Sequence, residues 1–111
     1  MYRWTALCCI VTTLWVAGSG DARRSAAVAT THTVAIDGVT FAPATLTVKV
    51  GDTVVWINKD PFPHTVTSQT GGFDSHDMAP GQSWSYRATR AGVFPYLCTL
   101  HPTMHATLTV E

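Results

Sequence analysis

Short apolar stretches, each closed by turn-forming residues, follow one another from His32 to Glu111 and constrain the fold of this chain most strongly. In Thr45–Val50 apolar residues alternate with polar ones, whereas Thr53–Asn58 is almost continuously apolar. Alternation predicts a half-buried strand, and a continuous apolar run predicts a strand in the middle of a sheet. No stretch of this region has the periodicity of an amphipathic helix. The sequence therefore predicts an all-β fold.

Turn residues divide this region into seven or eight predicted strands. The candidates are His32–Ile36, Val39–Phe41, Thr45–Val50, Thr53–Asn58, His64–Ser68, Gln82–Ala88, Val93–Cys98 and Ala106–Val110. In the third strand, Leu46, Val48 and Val50 are expected on the buried face. Regularly spaced strands in so short a chain are typical of an antiparallel sandwich or a small barrel. The segment Gln69–Gly81, rich in Gly and Pro, is predicted to be a long connection.

The first 22 residues have the features of a secretory signal peptide. Arg3 precedes an apolar run from Ala6 to Ala17, and small residues follow as far as Ala22. The run is about 12 residues long, whereas a membrane-spanning helix needs roughly 20, so a retained anchor is the weaker alternative. We expect cleavage near Ala22, a flexible segment over 23–31 and one domain over 32–111. The mature protein is then periplasmic and has no membrane anchor.

Removal of that segment leaves Cys98 as the only cysteine. Small exported domains commonly pair their cysteines in disulfides, so a lone thiol there is expected to be buried or occupied. A metal ion is one occupant, and a buried structural cysteine is the alternative. The formal net charge is zero. Together with the lack of a basic run in the mature region, this argues against nucleic acid or an anionic membrane as a partner.

Three potential metal ligands, Cys98, His101 and Met104, recur at every third position of one short segment. The segment lies between two apolar strands, and a tight loop there can turn all three side chains toward one point. His64, which opens an earlier predicted strand, offers a fourth donor. Two His and one Cys with a weak axial Met define blue copper sites, whereas Met is a poor ligand for zinc, the main competitor. The donor set predicts one copper ion of type 1.

Three segments of the chain resemble the cupredoxins, and in particular the amicyanin and pseudoazurin branch of that family. They are Val50–Asn58, Pro63–Val66 and Tyr96–Met104. The two-residue gaps on either side of His101 make amicyanin the closest of these. The resemblance implies a cupredoxin-type Greek-key β-sandwich in which His64, Cys98 and His101 are equatorial copper ligands. It implies that Met104 is the axial ligand.

Further residues near the ligands also carry expectations. By the resemblance, Asn58 braces the ligand loops, and the alternative is a polar residue that simply ends a strand. The backbone N–H of Thr65 is expected to point at the sulfur of Cys98. His105 departs from the family pattern because it directly follows Met104. On a strand it would point away from Met104, so we expect it to be exposed and not to bind the metal.

The predicted function is the transfer of single electrons between protein redox partners by a small soluble protein that cycles between Cu(I) and Cu(II). By resemblance only, an amine dehydrogenase is a candidate donor and a c-type cytochrome a candidate acceptor. We expect a monomer without enzymatic activity. A copper-delivery protein is the main rival, while a thiol hydrolase would leave His64 and Met104 without roles. The expected docking surface around His101 comprises Phe62, Pro63, Pro80 and Pro102.

Overall fold

The computed structural model describes residues 28–111, so the predicted signal peptide over 1–22 and residues 23–27 lie outside the described part. Eight strands form the fold, which confirms the all-β prediction. They are β1 (Thr31–Asp37), β2 (Thr40–Ala42), β3 (Thr45–Val48), β4 (Thr53–Asn58), β5 (Thr67–Ser68), β6 (Ser83–Arg87), β7 (Gly92–Leu97) and β8 (His105–Val110). Residues 28–111 include no helix with the length and apolarity needed to span a membrane.

The strands form two four-stranded sheets, which pack face to face as a β-sandwich. The first sheet has the order β2-β1-β4-β6 and the second has the order β3-β8-β7-β5. The apolar strand β4 lies between β1 and β6, as its sequence predicted. Alternate side chains of β4 face the second sheet, and Val54, Trp56 and Asn58 are fully buried.

Both sheets are mixed, which corrects the expectation of a purely antiparallel sandwich. β1 pairs with β4 in parallel, and β3 pairs with β8 in parallel. The other pairs are antiparallel. A hairpin can join only antiparallel strands, whereas a parallel pair needs a crossover. The chain supplies one by placing β3 in the second sheet before β4 returns to the first sheet beside β1.

Aromatic side chains fill the space between the sheets. The indole N–H of Trp56 donates a hydrogen bond of 3.2 Å to the hydroxyl of Tyr96 on the opposite sheet. Burial raises the pKa of Tyr96 to about 12, although this hydrogen bond opposes the shift. Phe73 packs against both residues, with ring centroids 6.0 Å from Trp56 and 5.9 Å from Tyr96. The core therefore extends to the segment just before Cys98.

The third strand is shorter than predicted. It ends at Val48, and Val50 is 51% exposed, so the prediction that Val50 faces the core is wrong. The chain turns immediately after β3, because the Asp52 amide donates to the Lys49 carbonyl and Gly51 adopts a φ of 95°. This turn rotates Val50 away from the buried face before β4 begins.

The predicted strand His64–Ser68 is likewise reduced to Thr67–Ser68. His64 instead forms an isolated antiparallel bridge with Met78. Two backbone hydrogen bonds make this bridge, from His64 N to Met78 O at 3.1 Å and from Met78 N to His64 O at 2.8 Å. The long connection before β6 thus folds back along the segment that begins at His64 and holds it in place.

Candidate metal centre

Cys98, His101 and His64 meet at one end of the sandwich. Cys98 directly follows β7, His101 lies in the loop between β7 and β8, and His64 precedes β5. β5 and β7 are neighbours in the second sheet, so the two chain segments that carry these residues lie side by side. One sulfur and one nitrogen of each histidine all lie within 4.8 Å of one another. The structure therefore brings together three of the four predicted ligands.

The distances between these atoms fit a bound metal ion. The Cys98 Sγ lies 3.6 Å from Nδ1 of His64 and 3.8 Å from Nδ1 of His101. A metal at about 2.3 Å from sulfur and about 2.0 Å from nitrogen, the lengths typical of zinc, separates the two donors by roughly 3.5–3.8 Å. Both distances from the sulfur to a nitrogen thus have the values that a bound first-row transition metal requires.

The ligand loop is closed by its own backbone. The Cys98 amide donates to the Met104 carbonyl at 3.2 Å, and the Met104 amide donates to the His101 carbonyl at 2.9 Å. Pairing of Leu97 with His105 closes the β7–β8 ladder just outside the loop. Met104, the fourth predicted ligand, is 3% exposed. It therefore sits inside the protein and is tied by its backbone to both other donors of the loop.

The three clustered donors differ in their access to solvent. Cys98 and His64 are fully buried, whereas His101 is partly exposed. The Thr65 amide donates to the Cys98 Sγ at 3.3 Å, as expected from the sequence. This bond stabilises negative charge on a sulfur that water does not reach. The imidazole of His101 is consequently the group through which the cluster meets the surface.

Asn58 joins the two chain segments that surround His64. Its side-chain amide donates to the Phe62 carbonyl at 2.8 Å and to the Met78 carbonyl at 3.1 Å. Its side-chain oxygen accepts a hydrogen bond of 3.0 Å from the Asp60 amide. These contacts hold the segments on either side of His64 together. They favour the expected role of Asn58 as a brace over that of a polar residue that simply ends a strand.

Asp60 is a functional residue that the sequence analysis missed. The Asp60 Oδ2 lies 2.8 Å from Nε2 of His64, and both side chains are buried. Because Nδ1 of His64 faces the Cys98 sulfur and an ionised carboxylate can only accept, this arrangement favours the tautomer in which Nε2–H donates a hydrogen bond to Asp60. Carboxylates commonly orient metal-binding histidines in this way. The sequence signal for this role is an acidic residue that follows a central strand and lies four positions before His64.

The carboxylate of Asp60 stays ionised although it is buried. Burial raises the pKa of Asp60, but hydrogen bonds from the Val39 and Gly38 amides and from His64 outweigh burial and hold it below its ordinary value. The amide distances are 2.8 Å for Val39 and 2.6 Å for Gly38. The site therefore contains a fixed negative charge behind one of its imidazoles.

Apolar side chains lie on the surface close to the exposed edge of His101. The ring of Phe62 is 6.4 Å from the ring of His101, and Phe62 is 52% exposed. Leu100, which the sequence analysis did not single out, is 44% exposed in the same loop. The other residues of the predicted docking surface, Pro63, Pro80 and Pro102, are also exposed. His105 is exposed as expected, with Nδ1 3.5 Å from Nε2 of Gln69.

Comparison with known proteins identifies relatives among the amicyanins and the plastocyanins. Amicyanin from Paracoccus denitrificans is 41% identical over 71 residues, which cover 60% of this chain and 54% of that protein. Amicyanin from Paracoccus versutus is 31% identical over 70% of this chain and 63% of its own length. The chain thus spans between about half and two thirds of these two amicyanins. Plastocyanin from Scenedesmus fuscus is 31% identical over 64% of this chain and 86% of that protein.

Solved structures show the same fold. A Cu(I) form of an amicyanin variant superposes with a TM-score of 0.69 and 36% identity, over 73% of this chain and 82% of that chain. A copper-containing nitrite reductase from Thermus scotoductus gives a TM-score of 0.68 and 27% identity, over 72% of this chain but only 22% of that enzyme. The family described as Cupredoxin-like domain matches residues 6–110. The chain therefore belongs to the cupredoxin-like domain family.

Proposed function

We propose that this protein is a small electron carrier that holds one type 1 copper ion and cycles it between Cu(I) and Cu(II). The proposed ligands are His64, Cys98, His101 and Met104. The observation that carries the proposal is the convergence of one thiol sulfur and two imidazole nitrogens at a closed end of the sandwich. Soft sulfur combined with imidazole favours copper among the first-row metals. The buried thioether of Met104, in the same loop, suits a weak axial ligand better than a zinc ligand.

The surrounding hydrogen bonds suit a one-electron centre. When bound, the copper supplies the redox chemistry, and the protein keeps the ligands in one arrangement. Asn58, Asp60 and the Thr65 amide each restrain a ligand or the segment that carries it. Since these restraints come from the protein's own hydrogen bonds, the ligands should have little to rearrange when the oxidation state changes. A small rearrangement makes electron transfer fast.

The partly exposed His101 is the proposed route for electrons. The apolar side chains of Phe62 and Leu100 beside it form a surface on which a protein partner can dock briefly. The zero formal net charge of the chain gives little long-range steering, so apolar contact is the main source of recognition. In keeping with the similarity to amicyanin, an amine dehydrogenase is the proposed donor and a c-type cytochrome the proposed acceptor.

The location and state of the mature protein are also part of the proposal. Residues 1–22 act as an export signal that is removed, residues 23–31 form a flexible segment, and residues 32–111 form the working domain in the periplasm. The apolar run over 6–17 and the small residues after it support export. The protein functions as a monomer.

A copper-delivery protein is the second candidate function, because the same ligands could carry copper as cargo. Similarity to a nitrite reductase does not favour an enzyme, since the shared region is 22% of that chain. Within residues 28–111, the structure contains a single cluster of three or more His, Cys, Asp or Glu ligand atoms. This single cluster of metal-binding side chains is consistent with a carrier that has one redox centre.

Copper binding is the first test. Addition of Cu(II) to the apo form of the mature protein should give one bound ion and an intense visible absorption band from the thiolate-to-copper transition. The band should be lost in Cys98→Ser and strongly altered in His101→Ala. The matched control is His105→Ala, which removes the neighbouring exposed histidine and should leave the band unchanged. A colourless Cu(II) complex of the wild-type protein would contradict the assignment.

Electron self-exchange separates a carrier from a delivery protein. Line broadening in NMR spectra of mixtures of Cu(I) and Cu(II) protein should reveal fast exchange, and copper should pass only slowly to a competing chelator. Slow self-exchange together with rapid loss of Cu(I) to the chelator would instead identify copper as cargo.

A further inference from the structure

Val39, in the turn between β1 and β2, adopts an unfavourable backbone conformation. Its φ is 57°, in the left-handed region that β-branched residues rarely occupy. Such a residue is strained and persists only where its surroundings hold it. The side chain is partly buried and packs against the core. Contacts elsewhere in the fold must therefore keep this turn in place.

The carboxylate of Asp60 provides those contacts. Gly38 N donates to Asp60 Oδ1 at 2.6 Å, and Val39 N donates to Asp60 Oδ2 at 2.8 Å. The same Oδ2 accepts the hydrogen bond of 2.8 Å from Nε2 of His64. One buried oxygen is therefore shared by the amide of a strained turn and by a proposed copper ligand.

The remaining contacts of Asp60 involve its backbone rather than its carboxylate. The Asp60 amide donates to Asn58 Oδ1 at 3.0 Å, and the amide of the preceding Lys59 donates to the Ile36 carbonyl at 2.8 Å. These bonds place the main chain of Asp60 next to the end of β1. The direction of its carboxylate is then set by the turn amides on one side and by His64 on the other.

We propose that the β1–β2 turn positions His64 for copper, with the amide of Val39 fixing the Asp60 oxygen to which the imidazole bonds. The fixed oxygen accepts the hydrogen bond of Nε2 and holds the ring so that Nδ1 remains directed at the Cys98 sulfur and the proposed metal position. Val39 and Asp60 are thus positioning residues that act through His64. This inference rests on the proposed copper site. Partners of this kind commonly change metal affinity by about 10–100-fold when they are altered.

Two substitutions of Val39 test the turn, one that removes its amide together with the positive φ and one that retains both. Val39→Pro removes the N–H and imposes a φ near −65°, whereas Val39→Gly retains the N–H and tolerates a positive φ. In Val39→Pro, copper should dissociate at least about tenfold faster, and the visible and EPR spectra of the Cu(II) form should change. In Val39→Gly, the dissociation rate and both spectra should stay close to those of the wild-type protein.

His76 offers a matched control. Its φ is 56°, and its amide donates to Asp74 Oδ1 at 2.8 Å, so it has the same backbone conformation and the same type of hydrogen bond as Val39. The carboxylate of Asp74 contacts Thr67 and His76 but no ligand. His76→Pro should therefore leave copper release and both spectra unchanged. Equal effects of His76→Pro and Val39→Pro, or a folded Val39→Pro with wild-type copper properties, would overturn the proposal.

A measurement on the wild-type protein covers the case in which Val39→Pro does not fold. Coupling between two sites is reciprocal, so copper at His64 must stabilise the turn by the same factor by which the turn stabilises copper. Cu(I) binding should slow hydrogen exchange of the Val39 amide about tenfold more than that of the His76 amide. Equal slowing of both amides would refute the role of the turn. Lack of a blue band in the wild-type protein would refute the copper site itself.

Discussion

The Thr65 amide donates a hydrogen bond of 3.3 Å to the sulfur of Cys98, a residue 33 positions later in the chain. The hydroxyl of Thr65 also accepts a hydrogen bond of 2.8 Å from the Thr99 amide. A single residue next to His64 thus contacts both Cys98 and the residue that follows it. The two segments that supply the proposed ligands are joined at this point.

Loss of the Thr65 hydroxyl should weaken this junction. In Thr65→Ala, the Thr99 amide loses its acceptor, and the hydroxyls of Thr67 and Thr99 lose a partner. We expect the free energy of unfolding of the apo protein to fall by about 1–2 kcal/mol, the usual effect of an unsatisfied, partly buried donor. Urea denaturation followed by tryptophan fluorescence measures this change.

Thr65→Ser is the control, because it retains the hydroxyl and the backbone amide. Its free energy of unfolding should remain within about 0.5 kcal/mol of the wild-type value. If Thr65→Ser and Thr65→Ala were equally destabilised, the methyl group rather than the hydroxyl would account for the effect.

The sequence predicted those parts of the protein that depend on local patterns. β4 was predicted with its observed bounds, Thr53–Asn58, because a central strand is apolar on both faces. The cluster of Cys98 and His101 was predictable because both residues lie in one short loop. His64 was added to them through the resemblance and through its position at the start of the predicted strand His64–Ser68.

Relations between distant segments could not be predicted from local patterns. The parallel pairing of β1 with β4 depends on the crossing of the chain between the sheets, which no residue near either strand encodes. Asp60 has the composition of an ordinary loop residue, and only the fold shows that its carboxylate reaches both Val39 and His64. The positive φ of Val39 runs against the preference of its residue type, so sequence reasoning would place it in a strand.

Met104 is the proposed ligand whose role is most directly tested by substitution. The axial donor tunes the reduction potential of a type 1 copper site. In Met104→Leu, loss of the thioether should disfavour Cu(II) and raise the reduction potential, while the buried apolar volume is conserved. In Met104→Gln, a harder oxygen donor should favour Cu(II) and lower the potential. Cyclic voltammetry and visible spectra measure both effects.

Met78 provides the comparison for Met104, because it is also 3% exposed and also lies near a ligand. Its contact with His64 runs through the backbone, so Met78→Leu retains that contact. We expect Met78→Leu to keep the wild-type reduction potential. A potential that moves equally in Met78→Leu and Met104→Leu would argue that packing, and not ligation, is being measured.

Substitution of Asn58 should affect both stability and the copper site. Asn58→Ala leaves the carbonyl of Phe62 and the amide of Asp60 without their partner, and the carbonyl of Met78 keeps only its bond from His64 N. Since Asn58 is fully buried, the free energy of unfolding should fall by roughly 2–4 kcal/mol. Copper should also dissociate faster, because the segments on either side of His64 are no longer joined. If the free energy of unfolding of Asn58→Ala equalled that of the wild-type protein, water would be shown to replace the hydrogen bonds of the Asn58 side chain.

Asp52, at the opposite end of β4, should make the stability of the apo protein depend on acid pH. Its pKa is lowered from 3.8 to about 2, because its carboxylate accepts hydrogen bonds from the amides of Thr30 and Lys49 and from His32. The distances are 2.9, 3.0 and 3.0 Å. Between these two pKa values the unfolded chain binds more protons than the folded one. The stabilisation from Asp52 is therefore complete above pH 4 and is lost as the pH falls toward 2.

Urea denaturation of the apo protein between pH 5 and pH 2.5 measures this dependence without a contribution from metal release. Asp52→Asn should be less stable than the wild-type protein at pH 5, because a neutral amide cannot accept all three hydrogen bonds. The difference in free energy of unfolding between the two proteins should shrink as the pH falls. Protonation neutralises Asp52 in the wild-type protein, whereas the side-chain amide of Asp52→Asn is neutral at every pH. A difference that stays constant over this pH range would show that Asp52 titrates alike in the folded and unfolded chains.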